Sequence, residues 1–281
     1  MLSRLQNYLP QHFISTFAGW LANCEIPWLK NRLIQYFLWR YTVNLAEALQ
    51  PDPYQYRSFN DFFTRTLKTS ARPIAAEINA LACPADGQIS QLGHIKQNQI
   101  LQVKNHHFSL QDLLGGDTKE AVHFMDGSFL TVYLAPANYH RVHMPIDGRL
   151  VKMIYIPGRL FSVNFKTTIH TSNLFARNER IISFFDTAIG KVAVILVGAM
   201  IVGSMETVWA GTITPPRGKS IQTWNYREPI LLKKGEEVGR FKLGSTAILL
   251  FERDRITWDP EFITTHPVQM GQRLGIIKPY Q

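Results

Sequence analysis

The chain has 281 residues, 46% of them apolar and 18% charged, a composition that excludes a mainly disordered, collagen-like or disulfide-stapled protein. Thirty Lys and Arg against twenty-one Asp and Glu leave a net charge of +9, which predicts an anionic partner, either nucleic acid or a negatively charged membrane. Cys24 and Cys83 stand 59 positions apart with no CxxC, so a disulfide framework or zinc knuckle is not expected and a reducing compartment is.

The first residues hold one early Arg and no compact apolar core before a small-residue cleavage site, so no secretory signal is expected. Leu5 to Cys24 runs twenty residues without a formal charge, long enough to span a bilayer. Its Gln6, Asn7, Pro10, Gln11, His12, Ser15, Thr16 and Asn23 are too polar for hydrocarbon, and no spanning helix is predicted. In Trp28 to Leu49, Ile34, Phe37, Leu38, Tyr41 and Leu45 recur at i, i+3, i+4, i+7 and i+11, one face of an amphipathic helix. Lys30, Arg32 and Arg40, with Trp20, Trp28, Tyr36, Trp39 and Tyr41, give the aromatic and basic composition of a helix lying in a membrane interface. Helices that merely pack onto a following domain show the same period, so the pattern leaves both readings open.

Pro51 and Pro53 close this region. The chain is therefore divided into a helical amphipathic region (1–50), a linker and docking segment (51–80) and a β-rich body (81–281). The body carries short β-type runs between Gly, Pro, Asn and Asp: SFLTVYLA, RLVKMIYI, RIISFFD, KVAVILVGAMIVG, ETVWAGTI and STAILLFE. Val192 to Met205 is strongly apolar but only fourteen residues long, which predicts a buried strand or strand pair. One short helix is predicted over Ser109 to Leu114, with Ser109 as N-cap and Gly115 as stop. The expected fold class is mainly β within α+β, a sandwich- or barrel-like body with N-terminal amphipathic helices.

No GxGxxG follows a strand, and no Walker loop, HExxH or GxSxG is present. The basic residues form no block and no nucleic-acid module, which sets nucleic acid aside. Three strings remain: ACPADGQIS with Asp86, APANYHRVHMPIDG with His140 and His143, and GRFKLGSTAILLFE with Gly244 and Ser245. Taken singly, Asp-Gly reads as a turn, as Asp126-Gly127 and Asp147-Gly148 do; a lone His reads as a structural hydrogen-bonder, and Gly-Ser as a hairpin corner. His-x-x-His on a helix would suggest a metal pair, but this segment does not read as helix and offers no third ligand, so no metal is expected. Residues three apart in a strand point to opposite faces, so a site using both histidines needs an irregular Tyr139 to Pro145 segment.

Taken together the strings resemble the phosphatidylserine decarboxylase family of the bacterial proenzyme type. LGST (Leu243–Thr246), YHRVHMP (Tyr139–Pro145), PADG (Pro84–Gly87) and FARNER (Phe175–Arg180) carry the resemblance, with SFNDFFTR (Ser58–Arg65) and VGSMETVWAG (Val202–Gly211). It runs over nearly the whole chain, with no departure at a motif position.

The resemblance implies a self-cleaving enzyme whose cofactor is made from its own backbone. Gly244-Ser245 is then the scissile bond: Ser245 Oγ attacks the Gly244 carbonyl to give an ester. β-Elimination follows, and loss of ammonia leaves an N-terminal pyruvoyl group. By the same resemblance His143 is the base and Asp86 its orienting acid, a Ser-His-Asp arrangement for autocatalysis. A β chain (1–244) and an α chain (245–281) stay associated, because the 37 residues of the latter are too few to hold a core alone. In turnover the pyruvoyl ketone takes up the amine of phosphatidylserine as a Schiff base, carbon dioxide leaves, and His140 is the candidate general acid that returns a proton. The partners implied are phosphatidylserine in anionic membranes, met peripherally from the cytoplasmic side through the N-terminal helices, and a second copy in a homodimer. Three rival readings are a pyruvoyl decarboxylase of a soluble amino acid, a lipid-directed Ser-His-Asp hydrolase, and a non-catalytic membrane-binding β module. The hydrolase would need a nucleophile elbow that the sequence lacks.

Overall fold

The computed structural model describes residues 11–103, 106–200, 204–214, 220–242 and 245–278. Helix α1 (Gln11–Ala22) and helix α2 (Pro27–Arg40) lead into the short helix α3 (Phe59–Phe63). Proline at the start of α2 suits a position whose N–H is unpaired in any helix. The helix expected over Trp28 to Leu49 is shorter than its apolar period suggested. It ends at Arg40, where Tyr41 turns extended, and Leu45–Glu47 forms a separate 3₁₀ turn. The β-branched Thr42 and Val43 disfavour continuation, and Asn44 caps the new turn by accepting the Ala46 N–H. Ile34 and Phe37 face inward with Ala22, Tyr56, Phe59, Phe62 and Phe63, a small apolar cluster apart from the main core.

The body begins with β1 (Ala80–Ala82), β2 (Gly87–His94), β3 (Gln99–Val103) and β4 (His106–Ser109). Helix α4 (Leu110–Leu113) follows as expected, with the Ser109 hydroxyl accepting the Asp112 N–H and Gly115 in the left-handed region beyond it. After α5 (Thr118–Phe124) come β5 (Ser128–Leu134), β6 (Arg141–His143) and β7 (Gly148–Ile156). Then follow β8 (Arg180–Thr187), β9 (Gly190–Val197), β10 (Ser204–Thr207) and β11 (Gly211–Thr212). The last are β12 (Gln222–Leu232), β13 (Glu237–Lys242), β14 (Ser245–Phe251), β15 (Ile256–Trp258), β16 (Pro267–Val268) and β17 (Arg273–Ile277).

The fold is mainly β, as expected. Among the described residues the largest sheet is eight-stranded and antiparallel, in the order β12-β7-β8-β9-β14-β5-β2-β16. A four-stranded sheet, β11-β10-β13-β6, brings β13 against β6. Every residue of β14 is buried, and β5, β8 and β9 are nearly so. Strands covered on both faces read as continuous apolar runs, which is why the Val192 to Met205 stretch looks membrane-like in sequence; its first six residues lie in β9 and its last two in β10. No helix among the described residues is long and apolar enough to cross a membrane, and Cys24 and Cys83 are both free thiols.

Candidate functional site

Asp86 sits at the entry to β2, and its Gly neighbour is required there by close approach rather than by a turn. A Cβ on Gly87 would lie 2.3 Å from the Tyr133 carbonyl oxygen of β5. The buried Asp86 carboxylate accepts from Arg72 Nε at 2.9 and 3.1 Å, from Arg72 Nη2 at 2.5 Å and from the Met270 N–H at 2.8 Å. Arg72 Nη2 also reaches Glu47 at 2.9 Å. These bonds hold the Arg72 guanidinium well above its ordinary pKa, the Asp86 hydrogen bond being the main cause.

His143 ends β6, and its N–H donates to the Pro84 carbonyl at 2.8 Å, which sets the strand beside the segment that carries Asp86. Its ring makes two other contacts. Nδ1 donates to the Gly235 carbonyl at 2.8 Å, and Nε2 lies 3.2 Å from the Tyr139 hydroxyl, which therefore donates to it. Burial lowers the His143 pKa, opposed by the Gly235 carbonyl and by the charges of Glu237 and Asp86. Burial also pushes the Tyr139 hydroxyl up to about 12. Asp86 thus acts on His143 through its field, with no hydrogen bond between them.

His140 precedes β6 and is fully buried. Its carbonyl accepts the Phe241 N–H of β13 at 3.0 Å, and its Nε2 donates to the Ala135 carbonyl at 3.1 Å. Phe63 stacks on the ring with centroids 4.1 Å apart. Burial pulls the His140 pKa down to about 3, so the ring is neutral at physiological pH, and its Nδ1 has no partner. Arg141–His143 is a regular strand, the bulge lying opposite it between Glu237 and Gly239. The two histidine rings accordingly meet different sets of partners.

Ser245 opens β14 and is fully buried, paired in register with Leu134. Its Oγ has no hydrogen-bond partner, a condition it shares with Ser128, Thr131 and Thr246. What distinguishes Ser245 is its corner of the sheet: β5 ends there at Leu134, and the next carbonyl, Ala135, holds His140. Leu243 and Gly244, half of the expected scissile bond, lie outside the described residues, as do Val202 and Gly203 of the VGSMETVWAG segment.

Sequence reasoning missed Arg72, whose fourteen-residue separation from Asp86 leaves no local trace. It also passed over Tyr139, although that residue stands inside the YHRVHMP string. Lys30, expected as a surface cation, is buried instead, with Nζ on the Tyr54 carbonyl at 2.7 Å and Asn31 Oδ1 at 2.9 Å.

Residues 59–276 match the family described as phosphatidylserine decarboxylase, and residues 3–42 match the family described as PSD. The chain is 53% identical over 274 residues to the phosphatidylserine decarboxylase proenzyme of Stutzerimonas stutzeri (strain A1501), covering 96% of this chain and 92% of that one. It is 51% identical over 274 residues to that of Azotobacter vinelandii, with 96% of each chain covered. The proenzyme of the same name from Pseudomonas aeruginosa (strain LESB58) is 52% identical over 277 residues, with 97% of this chain and 96% of that one covered.

Proposed function

The chain belongs to the phosphatidylserine decarboxylase family, and from that premise we propose a self-processing carboxy-lyase that converts phosphatidylserine to phosphatidylethanolamine and carbon dioxide. The observation that supports the processing step is the state of Ser245. Its Oγ is buried without a partner, on a residue paired with Leu134, next in sequence to the Ala135 whose carbonyl takes His140 Nε2. A buried hydroxyl left unpaired costs about 1–3 kcal/mol; Ser128, Thr131 and Thr246 bear the same cost, so it is the place of Ser245 in the LGST string that singles it out.

Ser245 fits the origin of a pyruvoyl group because its side chain is dry and uncommitted. Once formed there, that group supplies an electrophilic carbonyl and a sink for the electrons left behind as carbon dioxide departs. His143 is the base for the Ser245 proton, and to take it Nε2 must exchange the Tyr139 hydroxyl for that of Ser245. Its Nδ1–H stays on the Gly235 carbonyl, which fixes the tautomer. Asp86, anchored by Arg72 and Met270, steadies the charge that develops on the ring. His140 is neutral in the precursor, so it acts as a proton donor in turnover only after taking up a proton at Nδ1.

The lipid reading is favoured over a soluble amino acid by helix α1, which packs with its polarity inverted. It buries Gln11, Ser15, Gly19 and Ala22 and exposes Phe13, Phe17 and Trp20 at i, i+4 and i+7. Trp28, Tyr36 and Trp39 are exposed on α2, with Arg32 and Arg40 beside them. Rings and cations on one outer surface suit an anionic bilayer interface. The function is tested by incubating purified protein with phosphatidylserine vesicles and measuring carbon dioxide release. Release from free serine but not from the lipid would refute the assignment.

A further inference from the structure

Three arginines among the described residues are less than a tenth exposed, and the fold treats them differently. Arg180 donates to four carbonyls: Nε to Leu113 at 2.7 Å, Nη1 to Ala176 at 2.7 Å and Asn178 at 2.8 Å, and Nη2 to Asp112 at 2.6 Å. Arg72 divides its donors among Asp86, Glu47 and the Ala71 carbonyl. Arg65, 4% exposed, has Nη2 on the Ala137 carbonyl at 3.3 Å and leaves Nε and Nη1 without a partner. A guanidinium cannot shed its charge, so dry unpaired donors on it cost more than a neutral orphan does. The carboxylates whose fields reach Arg65 most strongly, Asp86 and Glu47, are both hydrogen-bonded to Arg72.

Arg65 borders open space although its Nε and Nη1 are dry, so a ligand there engages those donors once the guanidinium turns toward it. It lines a cavity of about 320 Å³ together with Asp86, Gly87, Asn138 and Tyr139. That cavity adjoins the candidate centre: Gly87 packs on the Tyr133 carbonyl near the end of β5, Asn138 and Tyr139 directly precede His140, and Arg65 stands two residues after the ring that stacks on His140. We propose that Arg65 is a substrate-binding residue whose free donors receive the phosphodiester of the lipid headgroup in this cavity. The inference rests on the phospholipid decarboxylase reading. The substrate has a second anion, its carboxylate, but that charge disappears in the reaction. A guanidinium on the carboxylate would stabilise the ground state and raise the barrier, whereas the phosphodiester keeps its charge from substrate to product.

The test compares wild type, Arg65→Lys and Arg65→Gln on dihexanoyl phosphatidylserine, with dihexanoyl phosphatidylethanolamine as competing product. Arg65→Gln raises KM and the product inhibition constant together, by about tenfold or more, while kcat changes little, and Lys restores part of the loss. A raised KM with an unchanged product constant would place the carboxylate on Arg65. Both constants unchanged, with only a lowered Tm, would leave Arg65 a prop for the 135–139 turn. Either result overturns the proposal. If Arg65→Gln fails to self-process, calorimetric binding of dihexanoyl phosphatidylethanolamine to Ser245→Ala and to Ser245→Ala/Arg65→Gln decides, and equal affinities overturn it. Failure of the decarboxylase reading is separate: wild type would release no carbon dioxide from the lipid, while the affinity ratio still judges Arg65.

Discussion

Gly87 shows how little room the candidate centre has. A methyl group there meets a backbone carbonyl, which cannot rotate away as a side chain could. Gly87→Ala should therefore lower stability by about 2–3 kcal/mol, read from the urea midpoint at constant slope. His140 makes the pH prediction. Its folded-state pKa, about 3, lies below the ordinary histidine value of about 6.5, so the unfolded chain binds the extra proton between those limits. Stability is complete above the upper limit and falls as pH drops through the window. His143, shifted in the same direction by burial, adds to the slope. Urea midpoints measured from pH 7.5 to 4.5 should decline in wild type and decline less in His140→Gln, which keeps a side-chain N–H donor. An unchanged slope in the variant would assign the acid sensitivity to other groups. At this scale residue type was legible and partnership was not: Asp86 and His143 stand out in the strings, yet Arg72, Met270, Gly235 and Tyr139 occupy their polar atoms.

Helix α1 inverts the usual rule, and its two faces give opposite predictions. Phe13, Phe17 and Trp20 touch water in the isolated protein, so changing all three to Ser should leave Tm nearly unchanged. The same change should weaken flotation with anionic vesicles by about tenfold or more, because each ring contributes buried apolar area only on the membrane. Gly19→Leu on the opposite face should lower Tm instead, since that face is buried. Flotation unaffected by the triple change would leave the helices as packing elements alone. The period that suggested one long helix through Leu45 was real, but it continued through an extended link and a 3₁₀ turn, because apolar spacing records burial and not the backbone path. The strands were easier to read. β5, β8, β9 and β14 coincide with the apolar β-branched runs, since strands covered on both faces need nothing else.

Over the whole molecule, antiparallel order shows how the proposed 37-residue α chain would stay with the rest after cleavage. β14 lies between β9 and β5 in the largest sheet, paired on both sides along its length, so a break before Ser245 leaves the strand held by its neighbours. Pairing order of this kind was not legible in the sequence, because register across 49 to 123 residues leaves no local pattern. The family strings were legible, and two of them meet where the His143 N–H donates to the Pro84 carbonyl. The most direct test of the account is the intact mass of purified wild type beside Ser245→Ala. Wild type should give two chains divided between Gly244 and Ser245, the shorter blocked to N-terminal sequencing, with the Ser245 nitrogen lost as ammonia and an oxygen from water in its place. Ser245→Ala should give one inactive chain. A single uncleaved wild-type chain with full decarboxylase activity would contradict the account.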